Sequence, residues 1–127
     1  MSTAKLFRIN IEVGDLKQAA AGWAELLGDT ARPQAGSRVY FTAGAVTLQV
    51  VQHDKPHPAA KALYFLVDEL EPYHARAKKL GWLSNDKVHG EPGGEIAVRP
   101  WGERSFYAED PWGNPLCFVQ AGTTYLG

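Results

Sequence analysis

Among the 127 residues there is one cysteine, Cys117, so the chain holds no internal disulfide and a reducing cytoplasm is its expected compartment. An excess of charge of one sign is missing too: 13 lysines and arginines against 14 acids leave a formal net charge of −1. The basic residues are scattered, so there is none of the basic stripe that duplex or single-stranded nucleic acid requires. No apolar run approaches bilayer-spanning length. Met1-Ser2-Thr3-Ala4-Lys5 leads straight into a strand-like segment without a signal-peptide pattern. Neither nucleic acid nor membrane is therefore an expected partner. Also absent are a phosphate-cradling glycine loop, a nucleophile elbow and a His-Glu-x-x-His pair. His53 and His57 have metal-pair spacing, but Pro56 and Pro58 forbid the helix that would align them.

What is present is an ordinary globular composition, 45% apolar and 21% charged, at a length that fits one domain with a real core. Leu6–Val13 alternates Phe7, Ile9, Ile11 and Val13 against Arg8, Asn10 and Glu12, the pattern of a half-buried strand. Asp15-Leu16-Lys17-Gln18 reads as a capping box. Leu16, Ala19, Ala20, Trp23, Leu26 and Leu27 follow at helical spacing, and Gly28 suits the helix exit. Arg38–Thr42 and Val46–Val51 flank Ala43-Gly44 as a hairpin.

The same plan then restarts. Ala62–Val67 is strand-like, Asp68-Glu69-Leu70-Glu71 reads as a second capping box, and Leu70, Tyr73, Ala77 and Leu80 form an apolar stripe ended by Gly81. His74 is expected on the wet face of this helix. Ser84–Gly94 is turn-rich, with at most a short strand. Arg104–Glu109 and Pro115–Gln120 are strands around Asp110-Pro111-Trp112-Gly113-Asn114, a run of turn formers. Val13-Gly14-Asp15-Leu16 matches Val67-Asp68-Glu69-Leu70, and Leu27-Gly28 matches Leu80-Gly81, at a nearly constant offset. The chain is an internal duplication of a strand–helix–strands unit.

Together with the closing stretch Phe106-Tyr107-Ala108-Glu109-Asp110-Pro111-Trp112-Gly113-Asn114-Pro115-Leu116, this duplication resembles the vicinal oxygen chelate superfamily. That superfamily contains glyoxalase I, bleomycin-resistance proteins, fosfomycin-resistance enzymes and extradiol dioxygenases. The likeness runs from about Lys5 to Ala121. It implies an α+β fold: a single domain of two βαβββ modules, about residues 5–52 and 62–121, whose sheets curve into a cup. It also implies a homodimer.

In metal-dependent relatives four side chains, typically His, Glu, His and Glu, enter the cup from four strands. Residue by residue, the resemblance carries those positions to Arg8, Gln49, Ala62 and Cys117, with about one step of register uncertainty at Gln49. Zinc asks for three or four N, S or O ligands. Ala62 offers none, Arg8 brings a fixed positive charge, and Gln49 and Cys117 are too little alone. No metal and no other cofactor is expected.

Parity then assigns faces. Arg8, Asn10 and Glu12 share one side of their strand, which the resemblance makes the cup interior, while Phe7, Ile9, Ile11 and Val13 should pack under the helices. Thr47, Gln49 and Val51, and Tyr64 and Leu66, face the cup by the same rule. Arg8 and Glu12 lie about 13 Å apart along the strand, too far to pair, so each awaits another partner. Cys117 reads as a small buried residue rather than a nucleophile, which would need a nearby base or cation. Trp23 and Trp82 read as packing, and Trp112 as surface or subunit contact. In bleomycin-resistance-like relatives a stretch like Arg99-Pro100-Trp101-Gly102 lies near the ligand cleft, which makes Trp101 a candidate ligand contact.

The expected function is metal-independent binding of a planar or aromatic small molecule, with Arg8, Asn10, Glu12, Gln49, Tyr64, Trp101 and Cys117 as ligand-binding residues and no catalytic residue assigned. Bleomycin itself is disfavoured, because the chain is almost neutral. The alternative is a diverged glyoxalase-like lyase or isomerase with Glu12 or Glu103 as its base. A third reading makes the chain a structural or regulatory partner domain.

Overall fold

In chain order the elements of the computed structural model, which describes residues 5–126, are strand β1 (Arg8–Val13), helix α1 (Leu16–Leu27), β2 (Arg32–Gln34), β3 (Arg38–Ala43), β4 (Val46–Gln52), β5 (Leu63–Val67), helix α2 (Leu70–Leu80), β6 (Lys87–Val88), β7 (Glu91–Pro92), β8 (Ala97–Val98), β9 (Arg104–Glu109) and β10 (Pro115–Gln120). They divide into two units, one ending at Pro58 and the other beginning at Ala59.

The first unit is a four-stranded sheet in the order β1-β4-β3-β2, with β1 parallel to β4 and the rest antiparallel. Helix α1 lies over β3 and β4. Ile11 and Val13 from β1, Val39 and Phe41 from β3, and Leu48 and Val50 from β4 are buried, as are Ala19, Trp23 and Leu26 of the helix. The expected helix boundaries hold. Asp15 caps the start, accepting the Gln18 N–H at 3.0 Å, and Gly28 takes the left-handed conformation at the end, with φ of 68°. Phe7 departs from expectation. It precedes β1, is 63% exposed, and places its ring against the Arg8 guanidinium at 4.9 Å instead of under a helix.

The second unit repeats this topology with the sheet order β5-β10-β9-β8, β5 lying parallel to β10 and α2 lying over β9 and β10. Its core is an aromatic stack. Phe118 lies 5.1 Å from Phe65 and 5.2 Å from Phe106 by ring centroid, and Tyr73 of the helix adds a third ring at 5.4 Å. The turn between β9 and β10 is pinned by Asp110, whose carboxylate accepts from the Trp112 and Asn114 backbone and from Asn114 Nδ2.

Three expectations need correction here. The residue at the α2 cap is Glu69, and its side chain makes no capping bond; Glu71 instead pairs with Arg104 at 2.8 Å, so no capping box forms. His74 is not on a wet face. It is half-buried, with Nε2 2.9 Å from the Gly94 carbonyl and its ring edge-on to Phe106 at 5.1 Å. The turn-rich stretch contains two short strands, β6 and β7, paired with each other.

Candidate functional site

Each sheet has one face under its helix and a second face that gathers the polar and candidate residues. In the first unit the register sets Arg8, Asn10 and Glu12 beside Thr47, Gln49 and Val51, and these beside Thr42, Tyr40 and Arg38. This is the grouping that strand parity gives. The residues there are already engaged with one another. Arg8 Nη1 donates to Tyr40 Oη at 2.8 Å, and its guanidinium lies 5.7 Å from the Tyr40 ring centroid. Buried Gln49 donates through Nε2 to Asn10 Oδ1 at 2.6 Å. Glu12 accepts the His57 backbone N–H at 2.9 Å. The expectation that Arg8 and Glu12 wait for outside partners is thus revised: Tyr40 and the His57 amide serve them within the unit.

In the second unit the corresponding face carries Tyr64 and Leu66 from β5, Cys117 and Val119 from β10, and Ser105 and Tyr107 from β9. Tyr64 and Leu66 are 61% and 63% exposed, whereas Cys117 is fully buried. Burial pushes the Cys117 thiol up to about 11, against the lowering effect of hydrogen bonds from Tyr107 and Ser105 and of the nearby Arg99 charge. The Tyr107 hydroxyl is pushed up as well, first by burial and then by hydrogen bonding to Tyr64. A thiol held neutral in this way is not an activated nucleophile.

Arg99 is the unexpected member of this face. It is 3% exposed and lies across β9, with Nε donating to Ser105 Oγ at 3.0 Å and Nη2 to the Glu95 and Ser105 carbonyls at 3.1 Å each. Its guanidinium sits 5.3 Å from the Tyr107 ring centroid. In the sequence nothing singles it out beside its neighbour Trp101, because its burial depends on residues on β9. Trp101 is half-buried, edge-on to His89 at 5.2 Å, and donates through Nε1 to Glu103 Oε1 at 2.7 Å. Glu103 in turn accepts the Tyr125 backbone N–H at 2.7 Å. A groove of about 400 Å³ is bounded by Tyr64, Leu66, Glu103, Val119, Tyr125 and Leu126. Of the sequence candidates, then, Tyr64 lines the groove and Trp101 abuts it through Glu103. Cys117 shares that face but is fully buried and does not line the groove, and Arg8, Asn10, Glu12 and Gln49 form the cluster of the first unit.

The superfamily's metal does not fit the residues at its four positions. Arg8 is a cation engaged with Tyr40, Gln49 spends its amide on Asn10, Ala62 has no donor atom, and Cys117 is held as a thiol. Among the described residues no cluster of three or more His, Cys, Asp or Glu side chains is placed to hold a metal ion.

No protein-family model and no curated protein sequence matches the chain. Solved structures do. The chain is similar to the oxidase ChaP-H2, with 27% identity and a TM-score of 0.77 over 99% of this chain and 100% of that one. It is similar to a bleomycin-binding protein complexed with bleomycin, at 19% identity and a TM-score of 0.67, covering 93% of this chain and 98% of that one. A lactoylglutathione lyase from Agrobacterium tumefaciens matches at 19% identity and a TM-score of 0.66, over 95% and 96% of the two chains. The fold is the one shared with these structures and with a glyoxalase/bleomycin resistance protein from Albidiferax ferrireducens T118, at 18% identity and a TM-score of 0.74, and it is the fold that the duplicated pattern and the Asp-Pro-x-Gly-Asn turn imply. An oxidase, a lyase and a drug-binding protein share it, so the choice among these activities has to come from the residues of the site.

Proposed function

We propose that this protein binds a planar or aromatic small molecule without a superfamily-type metal, in the manner of a bleomycin-resistance-like protein, and that it works as a cytoplasmic homodimer. The observation carrying the reading is the groove of the second unit, where the exposed Tyr64 ring and Leu66 stand on a sheet face beside an anchored carboxylate, Glu103. Exposed rings at a concave site offer stacking worth about 0.5–1.5 kcal/mol each beyond area burial. Arg8, Asn10, Glu12, Gln49, Trp101 and Cys117 remain the other ligand-binding candidates, Trp101 through its bond to Glu103.

The test is a thermal-shift screen of planar aromatic compounds, followed by titration of the best hit. Tyr64→Ala should weaken that hit about three- to tenfold through lost stacking. A screen in which no compound class raises the melting temperature overturns the binding reading. Elemental analysis finding about one chelator-removable metal per chain overturns its metal-independent part.

Chemistry at the same groove is the second reading, and Glu103 favours it as a carboxylate at the groove wall. Both of its oxygens already accept hydrogen bonds, from Trp101 Nε1 and the Tyr125 amide. That arrangement suits an anchored acceptor better than a base reaching for a substrate proton.

A further inference from the structure

Arginine stays protonated in proteins and carries five N–H donors in a rigid fork. Arg99 is a buried cation that the chain does not neutralise. Its partners are the Ser105 hydroxyl and the carbonyls of Gly93, Glu95 and Ser105, all of them neutral. No carboxylate among the described residues forms an ion pair with it. Its Nη1, fully buried, makes no hydrogen bond with any of the described residues. A charge taken out of water is costly unless it is paired, and an orphaned N–H adds to that cost. The Tyr107 ring lies 5.3 Å from the guanidinium, and on the sheet face Tyr107 and Tyr64 flank Cys117, with Tyr64 lining the groove.

We infer that Arg99 is an anion-binding residue, and that the ligand of the groove is a planar acid whose carboxylate or similar oxyanion takes the free Nη1 edge while its ring lies along Tyr64. The inference rests on the binding reading above and adds to it the charge of the ligand. Nη1 is enclosed and Arg99 is not itself part of the groove lining, so binding requires the side chains around Arg99 to move. A bound oxyanion supplies the countercharge and completes the donor fork with charge-assisted bonds.

Benzoate and benzamide, equal in size and differing in charge, decide the matter when titrated by calorimetry at matched ionic strength. Benzoate should bind the wild type at least tenfold more tightly, and Arg99→Gln should remove that preference, weakening benzoate about ten- to a hundredfold and benzamide much less. Should Arg99→Gln fail to fold, Arg99→Lys replaces it: the charge remains without the fork, and benzoate alone should weaken several-fold. Equal affinity for the two probes, or equal losses in the variant, overturns the role of Arg99 and leaves the binding reading standing. If neither probe binds and the wider aromatic screen is also blank, the binding reading falls and the inference with it.

Discussion

As the only cysteine in the chain, Cys117 lets its chemistry be read without interference. The ordinary thiol value of 9.0 is raised to about 11 in the fold, chiefly by burial. At pH 7 the thiolate fraction then falls from about one in a hundred to about one in ten thousand, and complete burial slows attack further. Ellman's reagent should therefore label the native protein at least a hundredfold more slowly than an exposed cysteine peptide, and the rate should keep climbing past pH 9 without levelling off. The linkage has a definite sign. Below pH 9 both folded and unfolded chains hold the proton, and the neutral thiol costs nothing. Between 9.0 and about 11 the unfolded chain releases it first, so stability declines as pH rises through that window, by at most about 2–3 kcal/mol. Cys117→Ala should flatten that part of the alkaline decline in urea titrations between pH 8 and 11. Stoichiometric labelling within minutes at pH 7, with a plateau below pH 9, would refute the reasoning and make Cys117 a candidate nucleophile.

Phe118→Ala removes the ring shared by Phe65, Phe106 and Tyr73, and should cost about 3–5 kcal/mol in chemical denaturation; a loss under 1 kcal/mol would mean that the stack is not a core element. Asp29 accepts the Thr42 and Thr30 amides and lies 3.7 Å from Arg32, and the Thr42 bond first of all holds its carboxyl below the ordinary 3.8. Its stabilising effect is therefore complete above pH 4 and lost as pH falls through the lower folded value, so Asp29→Asn should reduce the acid sensitivity of the melting temperature. An unchanged acid limb in that variant would count against the assignment.

How much of this was legible in the sequence depended on whether the cause was local. The Asp15 cap, the Gly28 and Gly81 exits and the bounds of β9 and β10 follow from residues within a few positions of one another, and each stands where the pattern put it. Strand faces were legible for the same reason, since parity puts Asn10 and Gln49 each on the polar side of its strand, while the register that sets them beside each other came only with the fold. What escaped lacked a local cause. Strand β2 is three exposed residues with a proline at its centre, too short to show a period, and it exists because β3 offers an edge to pair with. His74 reads as a solvated helix residue until the Gly94 carbonyl, twenty residues on, arrives beside its ring.

The candidate site shows the same division at higher stakes. Arg8 and Arg99 are chemically alike, and parity gave only Arg8 a place on a sheet face. Arg99 follows a strand of two residues, β8, whose pairing with β9 is what turns the side chain toward Ser105 and Tyr107. In the fold the two differ in their unmet demands. Arg8 is exposed, shares a hydrogen bond with Tyr40, and can be solvated wherever that bond fails. Arg99 has no such recourse: it is enclosed, bonded only to neutral groups, and one nitrogen short of a partner. A cation in water tolerates the loss of a partner at little cost, whereas a cation in the interior gains most from acquiring one. On that ground the proposed anion contact falls on the buried Arg99 rather than on the exposed Arg8.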